Sequence, residues 1–170
     1  MDITDVILND HHDQRRLFAI LDEMHDCPVP DLAAVWSRLR ILLEVHAKAE
    51  EVLFYPELLA LGAGAGGKDN PEDETTDAIH DHNEIRDAIS DVGGHETGSP
   101  EWWRAVAKVN EVNGDHMAEE EREGLTDFRR HAGLELRHKL AVTFCSFEAA
   151  HAGGIKGHDV DPDSYIREHQ

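Results

Sequence analysis

The chain has 170 residues and 13 histidines, and its 36 acidic against 16 basic side chains give a formal net charge of −20. One domain is the expectation at this length, and 40% hydrophobic residues suffice for a core without disulfide staples. A surface this acidic repels phosphate backbones and anionic lipid, which argues against nucleic acid and membrane as partners.

The amino terminus, Met1 to Val6, has no basic region followed by an apolar run, and no stretch approaches the ~20 apolar residues that span a bilayer. The chain therefore reads as cytoplasmic. Cys27 and Cys145 are isolated, with neither zinc-site spacing nor the density of a disulfide scaffold, and read as packing thiols.

Apolar residues recur at three- and four-residue steps almost throughout, which predicts an all-α fold. A first helix is expected from about Thr4 to His25, stopped by Pro28 and Pro30. Asp31 opens a second that runs to about Leu61, with Leu39, Leu42, His46, Glu50 and Leu53 on one stripe and Pro56 as a kink. Gly62 to Pro71 reads as a flexible connector. A third helix is expected from Thr76 to before Gly93, with Ile79, His82, Ile85 and Ile89 on its apolar face. Ser99-Pro100-Glu101 then starts a fourth, carrying Trp102, Val106, Val109, His116 and Glu120. Leu134 to Ala150 forms a further helix on the outside or end of the bundle, and the tail from Gly153 is expected to be loose, with Tyr165 and Ile166 as the residues able to dock.

Histidine is the side chain most used to ligate transition metals, and its distribution carries the functional signal. A His followed four residues later by Glu places both groups on one helix face, and four such pairs exist: His46–Glu50, His80–Glu84, His116–Glu120 and His131–Glu135. Two of them, His46–Glu50 and His116–Glu120, interrupt apolar stripes, where burying ionisable groups is costly unless something compensates. His80–Glu84 lies with Asp87 and Asp91 on a polar face, and Gly133 breaks the helix of the last pair.

An internal repeat sharpens this selection. Asp10-His11 is followed 35 residues later by His46, with Glu50-Glu51 beyond; Asp81-His82 is followed 34 residues later by His116, with Glu120-Glu121 beyond. Two helical hairpins closing face to face would bring four imidazoles and two carboxylates to one level of the interior. Nitrogen and hard oxygen donors without thiolate suit iron or manganese in a dinuclear site better than structural zinc. The plainer alternative is a bundle whose buried His and Glu only hydrogen-bond one another, a costly use of six ionisable groups.

The order His11, His46/Glu50, His82, His116/Glu120, with the string from Glu50 through Tyr55 to Pro56, resembles the hemerythrin HHE cation-binding domain over about residues 3–130. The resemblance implies an up-down-up-down four-helix bundle over residues 1–132, with residues 133–170 as a C-terminal helix and tail packed on it. It also implies two iron ions in an oxo- or hydroxo-bridged non-haem centre, manganese being the less favoured metal. The implied ligands are His11, His46, Glu50, His82, His116 and Glu120.

Oxygen-carrying hemerythrins place two His four apart on the third helix, whereas Ala78 stands four before His82. One metal then keeps an open or water-filled position, or another group fills it; Tyr55 and Glu121 are candidates, either as that additional ligand or as groups that hold the ligands from behind. The implied role is binding or turnover of a small oxidant (H2O2, NO or O2) by a monomer or weak homo-oligomer. Catalase-like peroxide decomposition or NO/O2 binding is favoured over bulk O2 carriage. The alternative is an iron or redox sensor that signals through a protein partner.

Overall fold

The computed structural model describes residues 1–68 and 70–169, and among these every regular element is a helix. In chain order they are α1 (Ile3–Asp22), α2 (Val29–Ala49), α3 (Tyr55–Leu61), α4 (Pro71–Val92), α5 (Pro100–Arg122), α6 (Gly124–His131), α7 (Leu134–Ala150) and α8 (Pro162–His169). Residues Glu50–Phe54 form one wide π turn that joins α2 to α3.

Local chemistry sets the helix starts. Asp2, Asn70 and Ser99 are N-caps whose side chains accept from the backbone N–H of Thr4, Asp73 and Trp102. Each satisfies a donor that the first helical turn leaves unpaired. Pro71 and Pro100 follow two of these caps at the position where a missing N–H does no harm. The Asn70 cap starts α4 five residues ahead of the expected Thr76.

Helix α1 packs on α2 and α4 on α5, and the two hairpins close through α1 against α5 and α2 against α4. This is a four-helix bundle. Leu17, Leu21, Leu39, Ile89, Trp102 and Val109 fill the end that carries the α1–α2 and α4–α5 connections. Ile3, Ile7, Phe54, Ile79, Phe128 and Phe144 fill the other end. His11, His46, Glu50, His82, His116 and Glu120 are all buried, and their places in the helices put them between these two apolar layers.

Several expectations are revised. Helix α1 ends at Asp22, short of His25. The fourth helix breaks at Glu123, whose φ of −104° and ψ of −90° are not helical, and α6 continues from there. The connector after α3 is pinned rather than free: Asp127 Oδ2 accepts from the backbone of Ala63 and Gly64 at 2.8 and 2.9 Å, and Glu74 accepts from Ala65 at 2.7 Å. A side chain at Gly62 would bring its Cβ to 2.4 Å from the same Asp127 oxygen, so the loop needs glycine there. Asp69, within the expected connector, lies outside the described residues.

The tail is not loose. Helix α8 lies on α4, and α7 lies on α1 and α2, where Phe144 is fully buried with its ring centroid 5.9 Å from that of His46.

Candidate metal centre

The six side chains singled out in the sequence converge. Glu50 Oε1 lies 2.9 Å from His46 Nε2, and Glu50 Oε2 lies 3.3 Å from His82 Nε2. Across the bundle, Glu120 Oε2 lies 3.3 Å from His11 Nε2, while His82 and His116 face each other with their Nε2 atoms 3.2 Å apart. Ligand atoms of His11, His46 and Glu50 lie within 4.8 Å of one another, as do those of Glu50, His82 and His116. Glu50 belongs to both groups.

The donor set fits a bound cation. The His11 and His46 Nε2 atoms, both Glu50 oxygens and Glu120 Oε2 are buried without a hydrogen-bond partner. Several are close to one another yet lack hydrogen-bond alignment, as expected of groups aimed at a common point. Buried polar atoms left in this state cost about 1–3 kcal/mol each, and a metal would satisfy them together.

Each imidazole is gripped from outside by a carboxylate on Nδ1. His11 meets Glu121 at 3.0 Å, His46 meets Asp10 at 3.2 Å, His82 meets Glu51 at 3.2 Å and His116 meets Asp81 at 3.4 Å. A neutral imidazole that donates from Nδ1 keeps the Nε2 lone pair for a metal. The pattern follows the repeat: Asp10 and Asp81 precede the first His of each half, and Glu51 and Glu121 follow each His-x-x-x-Glu. Those four carboxylates were visible as repeated neighbours, and for Glu121 alone the sequence offered this supporting task, as one of two alternatives. Glu121 therefore serves the outer face of His11, where it also pairs with Arg15 at 2.8 Å.

Tyr55 reaches the centre through the π turn. Five residues advance a regular helix about 140° past alignment, so Tyr55 would miss the face of Glu50. In the π turn the Tyr55 N–H bonds the Glu50 carbonyl, and the extra residue swings the phenol inward. Its hydroxyl donates to Glu120 Oε1 at 3.0 Å and lies 3.4 Å from His82 Nε2. Pro56, which follows, lacks the N–H that the next bond of either register would need.

Burial and neighbouring charges act against one another on the carboxylates of the centre. Burial by itself would raise Glu50, but the His46 and His82 imidazoles hold its carboxyl well below the usual range. Burial likewise opposes ionisation of Glu51, which His82 and Arg86 lower to about 2. The Tyr55 hydroxyl is pushed well above its ordinary value by burial and by the Glu120 and Glu50 carboxylates, so it stays a proton donor.

The sequence matches the family described as Hemerythrin HHE cation binding domain over residues 2–126. The chain belongs to that family. Among solved structures, the crystal structure of a hemerythrin HHE cation binding domain-containing protein from Mycobacterium kansasii is similar, with a TM-score of 0.72 and 18% sequence identity over 98% of each chain. A search of the curated proteins finds no match. This hemerythrin-like chain is thus a metal-binding helical bundle, and no helix among its described residues is long and apolar enough to cross a membrane.

His12 and His80 point outward, as their helix faces predict. Outside the six, periodicity overlooked a buried amide pair, Asn113 donating to Gln14 at 3.0 Å one turn from His116 and His11. Glu148 of α7 was also missed. It lies with Asp10 and His46, and burial and Asp10 raise it to about 7. No regular spacing links α7 to α1 or α2, so the approach of Glu148 to Asp10 and His46 has no sequence signature.

Proposed function

We propose that this chain holds two iron ions, one by His11 and His46 and one by His82 and His116, with Glu50 and Glu120 shared between them. The sharing of Glu50 by two three-residue clusters is the observation that carries this reading. Iron when bound supplies one- and two-electron redox chemistry toward H2O2, NO or O2. The six residues form the ligand set, and residues 133–170 complete the folded body around the 1–132 bundle.

The chain's own residues suit a small neutral oxidant and favour proton-coupled turnover of peroxide over oxygen carriage. Ala78, Tyr55, His116 and Glu120 all line one narrow pocket, so a small molecule has room beside the pair on the α4 side. Asp77, Asp81 and Glu119 also line it, and that charge favours neutral species over anions. Tyr55 and Glu120 can hold or pass a proton at the hydroxyl and Oε1, 3.0 Å apart. The two apolar layers exclude bulk water. Catalase-like decomposition, in which one H2O2 is reduced to water while a second is oxidised to O2, balances with no other reductant.

Metal analysis of the purified protein with an optical spectrum for bridged ferric iron tests the centre, and oxygen evolution from added H2O2 tests the chemistry. About two irons per chain with sustained O2 evolution is the expected result. A stable, reversible O2 adduct with no response to H2O2 would replace turnover by carriage.

A further inference from the structure

The family match stops at residue 126, yet the last seventeen described residues make contacts that lead to the centre. Glu51 stands at the junction. Its carboxylate is bonded by His82 Nδ1 and by Arg86, while its carbonyl lies inside the π turn. In α register that carbonyl would take the Tyr55 N–H, but that donor is committed to Glu50. In π register it would take the N–H of residue 56, which is Pro56 and has none. The buried carbonyl is left without a donor from its own helix.

Tyr165 of α8 supplies one. Its ring is buried, 5% exposed, and its hydroxyl donates to the Glu51 carbonyl. The segment before α8 is held by a two-way amide bond: Asn83, next to His82, donates to the Val160 carbonyl at 2.8 Å and accepts the Val160 N–H at 3.0 Å. Arg86 also bonds Asn83 at 3.1 Å, and a Cβ at Gly157 would stand 3.2 Å from Arg86 Nε, so the tail runs directly over this group. Tail, Asn83, Arg86, Glu51 and His82 form one continuous set of contacts.

We infer that Tyr165 is a positioning residue for the metal centre, its bond to the Glu51 carbonyl holding the π turn in the register that aims Glu50 and Tyr55 inward and Glu51 at His82. The inference rests on the dinuclear reading above. Pro56 removes one hydrogen bond in either register, but in the π register the orphaned carbonyl belongs to Glu51, 1% exposed, rather than to Val52, 41% exposed, and a group from outside the bundle restores that bond. The carboxyl-terminal segment is thereby part of the site although it contributes no ligand.

The test is cobalt(II) titration of the full metal-free chain, followed by the visible bands of the bound ion, with far-UV circular dichroism alongside. Wild type is expected to take up two ions. Tyr165→Phe keeps the ring and removes the donor, and one of the two ions is expected to bind about tenfold or more weakly with altered bands. Pro56→Ala provides an N–H where the five-residue register needs one, so Tyr165→Phe with Pro56→Ala is expected to regain the lost affinity and bands. Unchanged cobalt binding in Tyr165→Phe overturns the inference. So does a loss, with or without a fall in helicity, that Pro56→Ala leaves unrepaired. A wild-type chain that binds no cobalt would instead remove the dinuclear reading itself.

Discussion

Tyr55 donates its hydroxyl to Glu120 Oε1 at 3.0 Å, a bond that crosses from the first helical hairpin to the second at the level of the imidazoles. Both groups are buried, and the phenol keeps its proton because burial and the Glu120, Glu50 and Glu51 carboxylates oppose its ionisation. Tyr55→Phe preserves the ring packing and removes only the donor. Bound iron is expected to stay near the wild-type level while peroxide turnover falls about 100-fold, the usual scale for loss of a placed proton donor. Iron content and initial O2 evolution on one preparation check both halves. Unchanged turnover would leave the hydroxyl a structural tie.

His80 and His82 stand two apart on α4 and have opposite surroundings. The His82 side chain is 1% exposed between Glu50 and Glu51, whereas that of His80 is 63% exposed with only a 3.8 Å approach to Glu84. Iron occupancy is expected to fall toward one ion per chain in His82→Ala and to hold in His80→Ala. Stability of His80→Ala should stay within about 0.5 kcal/mol of wild type, as for most exposed substitutions. Equal losses of iron in the two variants would contradict the face assignment, and metal analysis of matched preparations decides it.

Residues on regular helices were readable because periodicity fixes their direction. His11, His46, His82, His116, Glu50 and Glu120 each occupy an apolar stripe, and a repeat of 35 and 34 residues put them in register before any contact was known. What escaped reading depends on broken periodicity or on distant partners. Tyr55 turns inward only because the π turn inserts a residue, and Pro56 announces an irregularity without giving its direction. The glycine-rich stretch after α3 looks unrestrained until Asp127, 63 residues away from Gly64, is placed against it. Tyr165 and Glu51 are 114 apart with no shared pattern.

Asp127 is fully buried and does three tasks. Its Oδ2 takes the Ala63 and Gly64 N–H groups, and its Oδ1 meets His131 Nδ1 at 2.6 Å. Asp127→Ala leaves two backbone donors short and is expected to cost about 3 kcal/mol, since bonds to a charged acceptor are each worth roughly 1.5–3. Asp127→Asn retains an acceptor oxygen and should cost less than half as much. Urea unfolding midpoints for the two variants measure the difference, and equal costs would show that the backbone bonds contribute little.

Glu74 gives the chain a pH dependence opposite in sign to that of a paired carboxylate. It is buried, and burial, followed by the Asp127 and Glu123 carboxylates, raises it from 4.5 to about 7 although the Ala65 N–H favours its charge. Between those values the folded chain binds more protons at this position than the unfolded chain, so the contribution to stability falls as pH rises from about 4.5 and is fully lost above about 7. Glu74→Gln keeps an oxygen for Ala65 and an N–H for Asp127, and carries no charge to bury. It is expected to match wild type near pH 4.5 and to exceed it at pH 8 by roughly 1–3 kcal/mol, on the scale of ~1.4 kcal/mol for each unit. Comparing the two proteins at each pH removes the shared titration of the histidines. Urea midpoints at pH 4.5, 6 and 8 give the profile; a Gln variant less stable than wild type at pH 8 would mean that the ionised carboxylate is favourably held by the loop.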